Sequence, residues 1–420
     1  MEKIFDVAII GGGPAGSVAG SVLAQAGRSV VILEKERFPR FRVGESMIPA
    51  SSETLQRIGV KAKLDAGGFL VKYGGEICSA CGTRSRFLFR DGLRPKWKTS
   101  YQVERAKFDE VLLDHAQELG CDVREGQTVE AVKTRPDGVT LSLAGGSAPL
   151  PARYVLDCSG RHSLLANHFH LRTPYADLRK FSVYAYYEKV DRPEGEAGTL
   201  TRMIRTEDGW IWMIPLIDGK CSVGVVMNVE RFRAAKRSPE EALTHALQVQ
   251  PEVSAWMAAA RRYSPVYATG DFSYRVTRLT GERWLLCGDA AGFIDPVFSS
   301  GIYLAIYSGE KAGDAVNAAL MRPANRAQAF ARYEKQVQNR FTAYLKLVRA
   351  WYTQPFIEIF LHPKEMLNLV PTVNSVLGGN ASRSWSVRWR MKFFFLLVYL
   401  QGKTRRLVPG LTLKPAILPA

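Results

Sequence analysis

The sequence predicts an α/β fold, in which a discontinuous domain built on a parallel sheet is interrupted by an antiparallel β-sheet domain and followed by a helical C-terminal region. Short apolar runs that precede glycine turns, at residues 6–10, 154–157 and 284–287, are typical of buried parallel strands. Aromatic and β-branched residues alternate at 181–189 and 210–228, as they do in antiparallel strands. After these segments the pattern is helical, with proline interruptions.

Composition restricts the class of protein. The chain has 420 residues, 46% of them apolar and 23% charged, which is typical of a globular protein with more than one domain. Its longest apolar run, residues 393–400, is far shorter than the roughly 20 residues that span a bilayer. The start of the sequence does not resemble a signal peptide, and six cysteines in so long a chain do not suggest a disulfide framework. We therefore expect a cytoplasmic protein without a transmembrane segment or a nucleic-acid partner.

A glycine-rich turn follows the first strand. Residues 11–16 read GGGPAG, a helical segment comes next, and the second strand ends on Glu34. In a βαβ unit of this kind Gly11 makes the turn, Gly13 lets a pyrophosphate approach the backbone, and Gly16 allows the helix and strand to pack closely. Ala15 lies in the same turn, and Glu34 is placed to accept a hydrogen bond from a ribose hydroxyl. The alternative is a tight structural turn without a ligand.

Later segments favour FAD as the dinucleotide. Asp289 follows the third buried strand in the segment LCGDAAG, residues 157–160 read DCSG, and Arg105 ends the segment QVER. Together with the first glycine turn these segments resemble the aromatic-hydroxylase superfamily of flavoproteins. The resemblance implies a discontinuous Rossmann-like FAD-binding domain. Its implied cofactor-binding residues are Gly11, Gly13, Ala15, Gly16, Glu34, Arg42, Ser46, Arg105, Asp289, Pro296 and Gly301.

We expect the following division of the chain. The FAD-binding domain comprises residues 1–70, 102–165 and 271–325, the β-sheet substrate domain comprises 71–101 and 166–270, and the helical region comprises 326–420.

Three further motifs resemble those of flavin-dependent halogenases, within the tryptophan-halogenase-like superfamily. Residues 210–215 read WIWMIP, which matches the Trp-x-Trp-x-Ile-Pro signature, and residues 293–301 match the Phe-x-x-Pro-x-x-Ser-x-Gly element. Lys72 lies where that family carries its catalytic lysine. The resemblance implies that Lys72 is catalytic and that Trp210, Trp212 and Pro215 are gatekeepers between flavin and substrate.

The resemblance also implies the co-substrates. Such enzymes use FADH2 from a separate flavin reductase, O2 and chloride or bromide to make hypohalous acid, often in secondary metabolism and antibiotic biosynthesis. Ser300 and Gly301 fall at a predicted helix N-terminus, whose N–H groups and partial positive charge suit a halide. The alternative is an ordinary helix cap. No metal site is predicted, because Cys78 and Cys81 have no second pair of ligands.

The predicted substrate is a phenol or a pyrrole, free or tethered to an acidic carrier protein. Tryptophan halogenases have a glutamate before the Ser-x-Gly element, and this chain has Phe298 there. Without that carboxylate, an arene activated by its own oxygen or nitrogen is favoured. Two alternatives remain open: a related monooxygenase or prenyl reductase, which shares the FAD segments, and a flavin-binding adaptor without turnover.

Charge is unevenly distributed along the chain. The 57 basic and 40 acidic residues give a net charge of +17, and no acidic residue follows Glu365. Trp385, Trp389 and Phe393 are spaced four apart, which predicts one shared helical face. This face either packs on the catalytic body or, with the nearby arginines, meets an acidic carrier protein or an anionic membrane surface.

Overall fold

The computed structural model describes residues 4–146, 148–270, 273–380 and 384–414. A predicted domain boundary, at residue 271, and the first three residues of the chain fall outside this part.

The strands are, in chain order, β1 (Phe5–Ile10), β2 (Val30–Glu34), β3 (Leu70–Lys72), β4 (Gly74–Ser79), β5 (Arg84–Leu88), β6 (Ser100–Gln102), β7 (Asp122–Glu125), β8 (Val129–Thr134), β9 (Val139–Leu143), β10 (Leu150–Asp157), β11 (Arg172–Pro174), β12 (Lys180–Glu188), β13 (Thr201–Arg205), β14 (Gly209–Pro215), β15 (Lys220–Asn228), β16 (Arg261–Arg262), β17 (Tyr267–Gly270), β18 (Tyr274–Val276), β19 (Trp284–Leu286) and β20 (Gly292–Phe293). The α-helices are α1 (Pro14–Gln25), α2 (Ser51–Ile58), α3 (Lys61–Ala66), α4 (Arg105–Glu118), α5 (Leu164–His168), α6 (Val229–Ala235), α7 (Pro239–Val249), α8 (Pro251–Trp256), α9 (Gly301–Met321), α10 (Arg326–Trp351), α11 (Gln354–Leu361), α12 (Leu369–Leu377) and α13 (Trp385–Thr404).

The first sheet has seven strands in the order β7-β2-β1-β10-β9-β8, with β19 also paired to β10. Its β7, β2, β1, β10 and β19 are parallel, and β8, β9 and β10 form an antiparallel meander. Helices α1, α4 and α9 pack together beside the parallel strands. The three apolar runs that predicted parallel strands are β1, β10 and β19, and the predicted Rossmann-type architecture is confirmed.

The second sheet has eight strands in the order β16-β12-β15-β14-β13-β4-β5, with β17 also paired to β12. Its neighbours are antiparallel except for β13 and β4. The segment 210–228 is two strands of a hairpin, because Asp218 and Gly219 adopt positive φ angles of 56° and 72° in the turn between them. Alternation puts Trp210 and Trp212 on one face of this sheet and Ile211 and Met213 on the other.

Two smaller sheets are formed by the short strands β3, β6, β11, β18 and β20. β3, which begins the predicted segment 71–101, pairs with β6 rather than with the eight-stranded sheet. β11 and β18 pair with each other, and β18 also pairs with β20. The exact extents of the predicted domains stay a prediction.

Helices α10 to α13 cover the tryptophan face of the second sheet. Pro355 lies in the first turn of α11, a position that does not need a backbone N–H, so this interruption starts a helix. Among the helices of the described residues, none has the length and apolarity needed to cross a bilayer.

Candidate active site and its relatives

A cavity of about 710 Å³ lies where the carboxyl ends of the parallel strands meet the tryptophan face of the second sheet. This is within the range of small-molecule and cofactor sites. Its wall includes Ile10, Glu34, Cys158 and Cys287 at the ends of β1, β2, β10 and β19. The sequence-predicted residues that line it are Gly11, Gly13, Ala15, Glu34, Arg42, Ser46, Arg105, Trp210, Trp212, Asp289, Pro296 and Gly301.

The glycine turn brings the backbone close to this cavity. Gly11 has a φ of +100°, and a Cβ there would lie 2.5 Å from the Cys158 carbonyl oxygen. A Cβ at Gly16 would lie 1.9 Å from the Gly11 carbonyl oxygen, so Gly16 serves helix–strand packing and does not line the cavity. At Gly13 a Cβ would meet only the end of the Arg40 side chain, at 3.3 Å. Gly13 therefore leaves open space in front of the α1 N-terminus, as a pyrophosphate requires.

Glu34 is held at the cavity edge by its own turn. Its carboxylate accepts hydrogen bonds from the Gly12 N–H at 2.8 Å and from the Glu36 N–H at 3.0 Å. Arg42 lines the cavity and forms an ion pair with Glu36 at 2.6 Å. Arg40, which no sequence motif indicated, also lines the cavity and donates to the buried Asp109 at 2.9 Å.

Asp289 presents a carboxylate with unused hydrogen-bonding capacity. It follows β19 and lines the cavity, and within the described part of the chain no N–H or O–H group donates to its side chain. Burial raises its pKa to about 6, against the opposing charges of Arg105 and Arg161. Arg105 is fixed by the Asp109 carboxylate and by the Val43 carbonyl oxygen, each at 2.9 Å. A carboxylate so placed suits a hydroxyl donor, so the cavity residues fit FAD.

The N-terminus of α9 points its first residues at the same cavity. Gly301 and Ile302 line the wall, and Ser300, directly before them, is 1% exposed. A 21-residue helix begins at Gly301, so its N-terminus carries free N–H groups and partial positive charge. This arrangement suits a small anion.

The two gatekeeper tryptophans form part of the wall. The ring centroids of Trp210 and Trp212 are 5.8 Å apart, and each indole has a hydrogen-bond acceptor. Trp210 Nε1 donates to the Tyr352 hydroxyl at 3.1 Å, and Trp212 Nε1 donates to the Ser222 hydroxyl at 3.2 Å. Both rings are therefore fixed in orientation.

Pro215 does not share their position. It is the last residue of β14 and does not line the cavity. Ile214 lines it instead, because side chains two and four residues along a strand from Trp210 point to the same side. The structure thus brings together the two tryptophans and leaves Pro215 beside them.

Lys72 is buried behind this wall. It ends β3, is 2% exposed, and its Nζ donates to the Ser46 hydroxyl at 2.7 Å and the Met47 carbonyl oxygen at 3.1 Å. The Ser299 hydroxyl lies 3.4 Å from the same nitrogen. Burial lowers the pKa of Lys72 to about 7, and among the described residues no carboxylate forms an ion pair with it. The side chain therefore exists as amine and ammonium near neutral pH.

Two serines connect Lys72 to the cavity. Lys72 does not itself line the cavity, but Ser46 and Ser299 do, and their hydroxyls are 3.0 Å apart. Ser46 also hydrogen-bonds the Thr201 hydroxyl at 3.0 Å, and the Gln102 amide donates to Thr201 at 2.8 Å. The amine thus lies one hydrogen bond from the cavity, in a continuous network of polar side chains.

An aromatic cluster fills the space behind Trp210. Trp351 meets Trp210 edge-to-face at 6.4 Å, and Phe298 meets Trp351 in the same way at 5.8 Å. Phe356 lies 6.4 Å from Phe298 and 5.8 Å from Phe394 of α13. Phe298, noted in the sequence for the absence of a carboxylate, is therefore a buried member of this cluster.

The cavity also contains a buried acid that was not among the predicted site residues. Glu45 lines it, and burial raises its pKa. Its carboxylate accepts from the Tyr186 hydroxyl of the second sheet, so the contact crosses from one part of the fold to the other. In the sequence, Glu45 stands directly before Ser46, a predicted cofactor-binding residue, and this position could have indicated it. The sequence does not indicate that Tyr186 of β12 is its partner.

Comparison with known proteins assigns the chain to a family. The profile of the FAD binding domain family matches residues 5–345. The 1H-pyrrole-2-carbonyl-[peptidyl-carrier protein] chlorinase of Pseudomonas fluorescens is 30% identical over 376 residues, which cover 83% of each chain. The chain belongs to the flavin-dependent halogenase family. This flavin-dependent halogenase is therefore an oxidoreductase that binds FAD.

Solved structures agree with the assignment. The flavin-dependent halogenase CmlS has a TM-score of 0.79 at 29% identity, over 94% of this chain and 71% of that one. A flavoprotein/dehydrogenase from Cytophaga hutchinsonii has a TM-score of 0.88 at 26% identity, over 96% of this chain and all of that one. The fold is thus shared along almost the whole length of the halogenase.

Proposed function

We propose that this halogenase transfers chloride- or bromide-derived halogen to an electron-rich phenol or pyrrole, with Lys72 as the group that holds and activates the oxidised halogen. The observation that carries this proposal is the position of the Lys72 amine. It is buried, has a pKa near 7, and contacts two serines of the cavity wall. A lysine kept for solubility would be exposed.

The cavity residues have distinct roles toward the cofactor in this proposal. The Gly11–Gly13 turn and the α1 N-terminus bind the pyrophosphate, and Glu34 and Asp289 accept from hydroxyls of the cofactor. When FADH2 from a separate reductase is bound, it supplies with O2 and a halide the chemistry that yields hypohalous acid. Ser300 and Gly301 hold the halide through the N–H groups at the start of α9.

Lys72 then provides both proton transfers of halogenation. Its ammonium hydrogen-bonds Ser46 and Ser299, and a hydroxyl of this pair on the cavity wall donates to the oxygen of hypohalous acid while the arene carbon attacks the halogen. The oxygen–halogen bond breaks, the oxygen takes the hydroxyl proton and leaves as water, the ammonium returns a proton to the serine, and a carbon–halogen bond forms. The resulting amine accepts the proton lost by the arene through the same hydroxyl, so one arene and one hypohalous acid give one haloarene and one water. A group with a pKa near 7 can both donate and accept a proton at neutral pH.

The tryptophans keep flavin and substrate apart in this account. Because the indole N–H groups of Trp210 and Trp212 are already donated to Tyr352 and Ser222, the rings act as fixed bulk rather than as acid–base groups. Phe298 supplies no carboxylate, which favours an arene activated by its own heteroatom. The name of the Pseudomonas relative, a chlorinase of a carrier-bound pyrrole, makes a carrier-tethered substrate the first alternative to a free phenol.

The test is a product assay with the full chain, reduced flavin, O2, bromide and an electron-rich phenol. Brominated phenol, identified by its mass and isotope pattern, is the expected product. Hydroxylated phenol would instead support a monooxygenase, and bound flavin without any product would support an inactive flavin-binding adaptor. Repeating the assay with a carrier-tethered pyrrole separates a wrong substrate from a wrong reaction class.

A further inference from the structure

Helix α13 is anchored on the protein body by one face. Val387, Phe394 and Gln401, spaced seven apart, are its buried residues. Phe394 packs edge-to-face on Phe356 at 5.8 Å, and the Gln401 amide donates to the buried Glu358 carboxylate at 2.8 Å. The helix therefore has a fixed orientation, and its opposite face is presented outward.

That opposite face carries a continuous row of side chains, which we name the outer stripe. It consists of Trp385, Trp389, Lys392, Leu396, Tyr399 and Lys403, at spacings of four and three residues that repeat along one side of a helix. Trp385 is 72% exposed, Tyr399 is 60% exposed and Leu396 is 47% exposed. Phe393 departs from the predicted shared face, because it packs against the aromatic cluster instead. Large apolar groups in such a row mark an interaction surface.

The charge around the outer stripe has one sign. Arg388 flanks it, Arg405 and Arg406 follow the helix end, and Lys392 and Lys403 lie within it. No Asp or Glu occurs in the sequence after Glu365. The surface therefore complements a partner that is both apolar and anionic.

We propose that the outer stripe docks this protein on the surface of a bilayer that contains anionic phospholipid. Helices that lie in the membrane interface carry Trp or Leu together with Lys and Arg, and Trp and Tyr are enriched at the level of the headgroups. Lysine inside the stripe fits this role, because its ammonium reaches the headgroups while its methylenes stay in the apolar layer. In a protein interface, by contrast, lysine is depleted. The stripe is long enough for such contact, since 20 residues of helix extend about 30 Å.

The test measures co-flotation of the full chain with vesicles of phosphatidylcholine, with and without 30% phosphatidylglycerol. We expect binding to the anionic vesicles at 50 mM salt, and at least about tenfold weaker binding at 500 mM salt or with neutral vesicles. Arg388→Glu/Lys392→Glu should weaken binding to anionic vesicles by at least about tenfold. Trp385→Ala/Leu396→Ala should also weaken it, and this loss should persist at high salt.

The control variant is Arg233→Glu/Arg237→Glu, which changes the charge equally at exposed positions of and beside α6. This helix packs by Phe232 on the opposite face of the eight-stranded sheet, so the control should bind like the wild type. Equal flotation with both kinds of vesicle, or equal loss in the control, would overturn the proposal. An absence of flotation would also overturn it if the protein instead self-associated or bound a small acidic carrier protein, and Trp385→Ala abolished that interaction.

Discussion

Replacing Lys72 by methionine should stabilise this halogenase, in a way that depends on pH. Burial lowers the pKa of Lys72 from 10.5 to about 7. A tenfold change in proton affinity corresponds to about 1.4 kcal/mol, so keeping this side chain in the fold at pH 7 costs on the order of 5 kcal/mol. Methionine has a similar volume and no charge. The free energy of unfolding gained with methionine is reduced by about 1 kcal/mol for each hydrogen bond that Ser46 and Met47 lose.

The sign of the pH dependence follows from the two states. Between pH 7 and pH 10.5 the unfolded chain keeps the Lys72 proton and the folded chain does not, so the free energy of unfolding of the wild type rises with pH. The slope from this group is about 1.4 kcal/mol per pH unit. Below pH 7 both states are protonated and the full cost remains. Because the folded chain is still half protonated at pH 7, the stability advantage of Lys72→Met should shrink by about 2 kcal/mol between pH 7 and pH 9.

The assay is urea unfolding followed by tryptophan fluorescence at pH 7, 8 and 9. Lys133→Met is the matched control, because Lys133 is exposed on β8. Its difference from the wild type should be small and should not change with pH. A constant difference between Lys72→Met and the wild type over this range would show that the Lys72 amine is not held neutral, and the reasoning about its pKa would fail.

Three further predictions concern the cavity. Gly13→Ala should weaken FAD binding by at least about tenfold, because the added Cβ fills the space for the pyrophosphate. The fold should be retained, because this Cβ meets only Arg40, at 3.3 Å. Quenching of flavin fluorescence measures the binding. Glu34→Gln should cost about 1 kcal/mol of FAD binding by calorimetry, through the lost charge-assisted hydrogen bond. Trp210→Phe should lower the midpoint of unfolding, since the Tyr352 hydroxyl loses a hydrogen-bond donor at 3.1 Å. The variant should still halogenate its substrate. Loss of all product would instead show that the indole N–H has a chemical role.

The parallel sheet could be predicted because its strands are locally specified. β1 and β10 are apolar runs that lead directly into glycine turns, and both appear where the sequence indicated. The hairpin within residues 210–228 could not be resolved as precisely, because its turn depends on the backbone conformation of Asp218 and Gly219. The pairing of β3 with β6 could not be predicted, since strand pairing is a long-range property that a three-residue strand does not specify.

Individual site residues could be named from the sequence where a short motif contains them. Lys72 and the two tryptophans could be named from motifs. Ser299 as a contact of Lys72 and Tyr186 as the partner of Glu45 could not be named, because the first pair is 227 residues apart and the second 141. Arg161 was missed for the same reason, since its influence on Asp289 arises only when the two strand ends meet.

The central claim, that halogen reaches the substrate through Lys72, is tested most directly by the yield of halogenated phenol per FADH2 oxidised in a single turnover. The wild type should convert a large fraction of its FADH2 into brominated phenol. Lys72→Met should oxidise FADH2 at the wild-type rate and lower the yield at least about 100-fold, the scale of a lost proton-transfer group. A wild-type yield of brominated phenol from Lys72→Met would contradict the account.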